Sequence, residues 1–277
     1  MPGVIDTLDL FPLLDQQLIK LLRSLSKEDW DKKTISPHWT VKDVAAHLLD
    51  GNIKTISMYR DHHIPGKPPG VKTYQDIVNY LNAFNEDWIR AMKRVSPALI
   101  TDLLEITGSD FYNLLSSLDP FEKSLFSVAW AGEDESLNWF HIAREYTEKW
   151  HHQQQIRLAV GRDELLYSRE LYYPYLETSM RALPYHYRSV EAPDGTAITF
   201  NVDVEGGAEW VLLKNKENWE LLTELNTLPD CSVTIPKELA WRIFSKEVFR
   251  DEVLHRITVN GKKEWGEHIL NVVAVMA

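Results

Sequence analysis

The chain has 277 residues, 44% of them apolar and 26% charged, a composition that excludes a disordered or fibrous protein and is long enough for two buried cores. With 30 basic against 41 acidic residues the formal charge is −11, so a nucleic acid would lack the broad basic surface that phosphate binding needs, and a small-molecule partner is expected. The first residues lack a basic start and a long apolar core, and no window reaches the roughly 18 apolar residues of a membrane span, which predicts a cytoplasmic protein without a membrane partner.

The first half reads as helices. Leu8, Phe11, Leu14, Leu18, Leu21, Leu22 and Leu25 recur at helical spacing and give residues 7 to 26 one apolar face. Thr40, with Asp43 in the first turn, opens a helix expected to run to about His62, where Ile64-Pro65-Gly66-Lys67-Pro68-Pro69-Gly70 stops it. A third helix is expected over Thr73 to Val95 and a fourth from Pro97 to Leu118, ended by Asp119-Pro120. Residues 121 to 137 mix aromatics, acids and Gly132 and read as a loop or short strands, after which Asn138 caps a helix to about Val160, stopped by Gly161.

The second half changes character. A helix from Ser168 to Leu183 precedes strand-like runs at Thr196 to Val204 and Glu209 to Leu213, with Asp194-Gly195 and Gly206-Gly207 as turns. Cys231 to Ile235 forms another strand, Pro236 opens a helix through Phe244, and a helix from Glu264 to Val275 follows a turn at Asn260-Gly261. The composition is α+β in two domains, residues 1–165 helical and 166–277 mixed. Cys231 is the sole cysteine, which excludes an internal disulfide and any cysteine-based zinc motif; beside Val233 and Ile235 it reads as a small buried hydrophobe.

Glu148 and His152 fall one turn apart on the helix from Asn138, and on ideal geometry they share an arc of about 60° with His141 and Glu145. Trp139, Ala143, Tyr146 and Trp150 occupy the opposite side. Two readings stay open: an aromatic face turned inward with the ionisable stripe in water, or a helix buried on several sides whose His and Glu need partners, as a metal would supply. Gln155 and Ala159 continue the stripe without charge. The third ligand most easily found is His47, on the helix opened by Thr40. Two imidazoles and a carboxylate suit Zn²⁺, with Ni²⁺, Fe²⁺ or Mn²⁺ also compatible, and leave a coordination position open. His151, about 100° around from His152, reads as structural or surface, as do His62 and His63 at the surface; Asp50 either holds the His47 ring or meets water.

The pattern W-T-V-K-D-V-A-A-H-L-L-D from Trp39 to Asp50, followed by E-K-W-H-H-Q-Q-Q-I-R from Glu148 to Arg157, resembles the DinB-like four-helix-bundle superfamily, and within it the mycothiol-dependent maleylpyruvate isomerase branch. The run V-L-H-R-I-T-V-N-G-K-K-E-W-G-E-H-I-L-N, Val253 to Asn271, is similar to the smaller sterol-carrier-like α+β domain of that branch. The resemblance implies an up-down-down-up bundle with metal ligands at His47, Glu148 and His152. It also implies a low-molecular-weight thiol such as mycothiol or bacillithiol, held as thiolate, which adds to an activated double bond, allows rotation and leaves. The substrate in that branch is the small dicarboxylate maleylpyruvate.

An anionic substrate needs a cationic clamp, for which Arg157, Arg242, Arg250 and Arg256 are the candidates, each with a surface salt bridge as its alternative. Glu145 and His141 are candidates for orienting ligands or moving protons, or for a solvated face. Because fold does not fix reaction, two alternatives to a thiol-dependent isomerase or S-transferase stand beside it. One is a metal-dependent hydrolase active without added thiol. The other is a metal-binding or small-ligand-binding module without turnover, which tight binding of a lipid-like ligand unaffected by chelators would favour.

Overall fold

The structure, a computed structural model, describes residues 3–64 and 73–275. It resolves into two compact units, one of Thr7–Asp119 with Glu148–Asp163, the other of Met1–Asp6, Pro120–Thr147 and Glu164–Ala277. The division is interleaved, where the sequence suggested consecutive halves parted at 165/166, because one long helix contributes to both units.

The first unit is helical: α1 (Phe11–Arg23), α2 (Lys27–Trp30), α3 (Val41–Tyr59), α4 (Tyr74–Met92), α5 (Pro97–Ser116) and the C-terminal half of α6 (Asn138–Ala159). Its core gathers Leu18 and Leu22 from α1, Val44 and Leu48 from α3, Ile89 from α4, Ile100 and Leu104 from α5, and Ile156 from α6, which is where the helical spacing of apolar residues becomes a bundle. Pro12 sits in the first turn of α1, where a missing N–H leaves nothing unpaired. The N-termini of α2, α3 and α4 each close a reciprocal capping box, from Ser26 to Asp29, Thr40 to Asp43 and Thr73 to Asp76. The box at Thr40 sets the start of α3 and therefore the height at which His47 stands.

Some boundaries differ from the expected ones. α3 ends at Tyr59 and the chain turns off at His62, whose φ of 53° is left-handed; the stop expected at Ile64 to Gly70 lies mostly outside the described residues. Lys27–Trp30 forms a short helix that four residues could not reveal by periodicity. Residues 121 to 137 are a loop, with one bridge between Lys123 and Leu137 and a 3₁₀ turn at Ala129–Ala131.

The second unit carries α7 (Arg169–Met180), α8 (Leu183–Tyr187), β1 (Ala197–Asp203), β2 (Ala208–Asn215), β3 (Asn218–Leu222), β4 (Cys231–Pro236), α9 (Lys237–Phe244), α10 (Arg250–Val253), β5 (Thr258–Gly261) and α11 (Lys263–Glu267). The sheet runs β3-β2-β1-β4-β5, with β1 and β4 parallel and the other pairs antiparallel. Phe200 lies opposite Val233 and Val202 opposite Ile235, and all four are buried.

Three expectations are corrected here. The helix foreseen over Ser168 to Leu183 is α7, which ends at Met180, three residues early, and an unforeseen short helix, α8, follows with Pro184 in its first turn. Asn260-Gly261 is the end of strand β5, whose four residues have no apolar alternation to announce them. The terminal helix stops early: α11 passes into a 3₁₀ turn at His268–Asn271 and Val272 is already extended. Gly266 explains how α11 packs so close to the sheet, since a Cβ there would stand 2.5 Å from Val259 Cγ1 and 3.0 Å from Val233 Cγ2. Cys231 is buried as expected, and burial pushes its thiol up from its ordinary value.

Candidate metal centre

α3 presents His47 and α6 presents Glu148 and His152, and one ligand atom from each lies within 4.8 Å of the others. His152 Nε2 and Glu148 Oε2 are 3.4 Å apart, the product of one helical turn. The third member comes from packing: the His47 and His152 rings meet edge to face with centroids 4.6 Å apart. Trp39, just before the Thr40 cap, lies against both, 4.8 Å from the His47 ring and 6.3 Å from that of His152.

The hydrogen bonds favour one assignment of protons. His152 Nδ1 is 2.8 Å from Gln155 Oε1, so it donates and Nε2 is left as the lone pair facing Glu148. His47 Nδ1 is shut off from solvent and has no hydrogen-bond partner among the described residues. Burial pushes the His47 imidazole well below its ordinary value, so it is neutral at pH 7. A neutral imidazole is the ligand form of histidine.

These side chains fit a divalent ion. Ligand atoms about 2.0–2.2 Å from a tetrahedral ion stand roughly 3.3 to 3.6 Å apart, close to the Glu148–His152 separation and within small side-chain rotations of the 4.8 Å envelope. Two imidazoles with one carboxylate are the N/O donor set that suits Zn²⁺, and Glu148 brings the charge that a dication calls for.

The other predicted residues fall elsewhere. His141 is buried, 1% exposed, so the solvated stripe is excluded at that position. It accepts at Nδ1 from Arg144 Nη2 at 3.0 Å, while Arg144 also pairs with Glu145 at 2.5 Å; burial and the Arg144 charge hold His141 well below its ordinary value. Arg157 is buried and donates to the Gln17 carbonyl at 3.1 Å and the Arg162 carbonyl at 3.3 Å, and burial lowers it to about 10. Its guanidinium is engaged by backbone carbonyls of α1 and of the turn after α6. Arg250 pairs with Glu267 at 3.2 Å and Arg256 with Glu238 at 2.5 Å, both the surface ion pairs of the alternative reading. Arg242 donates to the Glu247 carbonyl at 3.4 Å, and its Nε has no partner among the described residues.

Asp50 does not hold the His47 ring; its carboxylate faces Lys54 at 3.8 Å. His62 and His63 are exposed, whereas His151 is buried, 3.3 Å from Gln155 Nε2. Sequence reasoning passed over Trp39 and the role of Gln155. The signal for Gln155 was present, an uncharged amide three residues past His152 on the ligand stripe, but its hydrogen bonds were not.

The family model described as the mycothiol maleylpyruvate isomerase N-terminal domain matches residues 11–157, over half of the chain. The chain belongs to this family. In the mycothiol maleylpyruvate isomerase family the matched segment thus takes in His47, Glu148 and His152 together. Two solved structures are similar over 87% of this chain and 88% of theirs: the crystal structure of the mycothiol-dependent maleylpyruvate isomerase, at 12% identity and a TM-score of 0.53, and that of a histidine-to-alanine mutant of it, at 11% and 0.52. At such identity the likeness speaks for the fold, two domains with helices first and a sheet after. A comparison with curated proteins found no match. No described helix is long and apolar enough to cross a membrane.

Proposed function

We propose that this member of the family is a metal- and thiol-dependent isomerase or S-transferase acting on a small anionic substrate of the maleylpyruvate kind. The observation that carries the reading is the meeting of His47, Glu148 and His152 within 4.8 Å, with a neutral His47 whose buried Nδ1 has no partner among the described residues. These three residues would hold a divalent ion, zinc first and nickel, iron or manganese as alternatives. When bound, the ion supplies a Lewis acid that keeps a low-molecular-weight thiol, mycothiol or bacillithiol, in its thiolate form near pH 7.

The chain's own residues do the rest. Glu148 would offset part of a bound dication's charge, and the imidazoles of His47 and His152 would add none of their own. Trp39 walls both histidine rings with an indole, which limits water at the site and strengthens the electrostatics inside it. The mycothiol named for the family's solved relative is the first thiol to try.

The test is elemental analysis of the purified protein beside His47→Ala and His152→Ala, with circular dichroism as the control for folding. The expected result is near-stoichiometric metal in the wild type, lost in both folded variants, and cis–trans isomerisation of maleylpyruvate that needs both metal and thiol. Metal content unchanged by the substitutions, or turnover indifferent to thiol, would overturn the proposal.

A further inference from the structure

Three residues beyond the ligand pair, on the same helix, Gln155 stands between two buried histidines. Its Oε1 lies 2.8 Å from His152 Nδ1 and its Nε2 lies 3.3 Å from His151 Nε2, while the two imidazole rings lie 4.7 Å apart, centroid to centroid. All three side chains are buried, Gln155 to 2% exposure, so water does not compete for these hydrogen bonds. An amide has one accepting and one donating end, and each end dictates what the ring it faces must present. The Oε1 end requires N–H at His152 Nδ1. The Nε2 end requires a lone pair at His151 Nε2.

We propose that Gln155 is a positioning residue that sets the tautomers of His152 and His151 together, so that His152 offers Nε2 as a lone pair before any metal arrives. This rests on the metal centre proposed above. Imidazole side chains in water favour the opposite form, with the proton on Nε2, and that form would aim a proton at Glu148 Oε2, 3.4 Å away, in place of a ligand lone pair. With the amide reversed, both histidines would change tautomer at once, because Gln155 Nε2 would then face His152 Nδ1 and demand a lone pair there. One amide orientation therefore decides whether the ligand atom is ready or must first lose a proton. No covalent step is involved; the effect is on the free energy of ligand preparation.

The discriminating variants differ in their hydrogen-bonding ends. Gln155→Glu keeps an acceptor for His152 Nδ1 and gives up the donor to His151. Gln155→Leu keeps the approximate size and gives up both.

The experiment is long-range ¹H–¹⁵N NMR of the metal-free protein, ¹⁵N-labelled and held at pH 8.5, followed by zinc affinity from competition with a chromophoric chelator. In the wild type the His152 and His151 resonances are expected to show a protonated Nδ1 and an unprotonated Nε2. Gln155→Glu should retain the His152 pattern and stay within about threefold of wild-type zinc affinity, whereas Gln155→Leu should shift His152 toward the Nε2–H form and weaken zinc by about 10- to 100-fold, the range for lost hydrogen bonds to metal-binding histidines.

A wild-type His152 found with its proton on Nε2 would overturn the inference, without any variant having to fold. So would a folded Gln155→Leu that keeps both the tautomer and the zinc affinity. Failure of the metal centre itself would look different: the tautomers would be as expected, but neither the wild type nor any variant would bind zinc, nickel, iron or manganese.

Discussion

Asp43 and Asp50 lie two turns apart on α3, both buried, and their surroundings push them in opposite directions. At Asp43 burial alone would raise the carboxyl, but Lys93 at 2.5 Å and the Thr40 backbone and hydroxyl outweigh it and hold it below its ordinary 3.8. At Asp50 burial wins over Lys54, 3.8 Å away, and the carboxyl is raised above 3.8. A lowered native pKa means that Asp43 stabilises the fold above the unfolded value near 3.8, and that this contribution fades as pH falls through the native one. Asp43→Ala should therefore lower the unfolding free energy by about 1–2 kcal/mol at pH 7, as lost caps do, and by less at pH 3; urea unfolding at the two pH values checks it. The raised Asp50 works the other way, since its stabilisation is largest below the unfolded pKa and is lost as pH rises through the folded one. Asp50→Asn should raise the urea midpoint at pH 7 and leave it nearly unchanged at pH 3; a lower midpoint at pH 7 would refute this reading.

Among the elements, the close seat of α11 depends on an atom that is absent. A methyl at Gly266 would meet Val259, Val233 and the Cys231 sulfur, side chains held by β4 and β5. Gly266→Ala is expected to cost about 1–3 kcal/mol by overpacking, even though alanine is the better helix former, and a thermal melt that matched or exceeded the wild type would contradict this. β3 shows why some elements escaped the sequence reading. It pairs with β2 through a tight turn at Lys216, where φ is 36°, but no glycine marks the turn; Asp194 Oδ1 accepts from the Lys216 N–H at 2.7 Å instead. The long helices announced themselves because a 3.6-residue period repeated over five turns outweighs any single residue, whereas α2, α10 and β5 each offer four residues and no period to read.

At the scale of the whole molecule, a metal held by the folded chain and by no unfolded one must add to stability. Zinc at a hundred times its dissociation constant would contribute about 2.7 kcal/mol, so thermal unfolding of the wild type should rise on adding zinc and fall back with a chelator, while His152→Ala should respond to neither. An equal response in His152→Ala would place the bound ion somewhere other than at His47, Glu148 and His152.

The helices of the first half, the pairing of Glu148 with His152 and the family's motifs were legible because each is a local regularity: a period, a cap or an i,i+4 spacing recorded within one stretch of chain. His47 could be named beside that pair through the family's motif; tertiary structure decided how closely it meets them and that Trp39 lies on both rings. It decided as well that Gln155 bridges two buried imidazoles and that Arg157 serves backbone carbonyls. Those outcomes depend on which faces are buried against which neighbours. Burial also sets the proton inventory, since an isolated helix cannot reveal that His47 is neutral or that His141 is out of water.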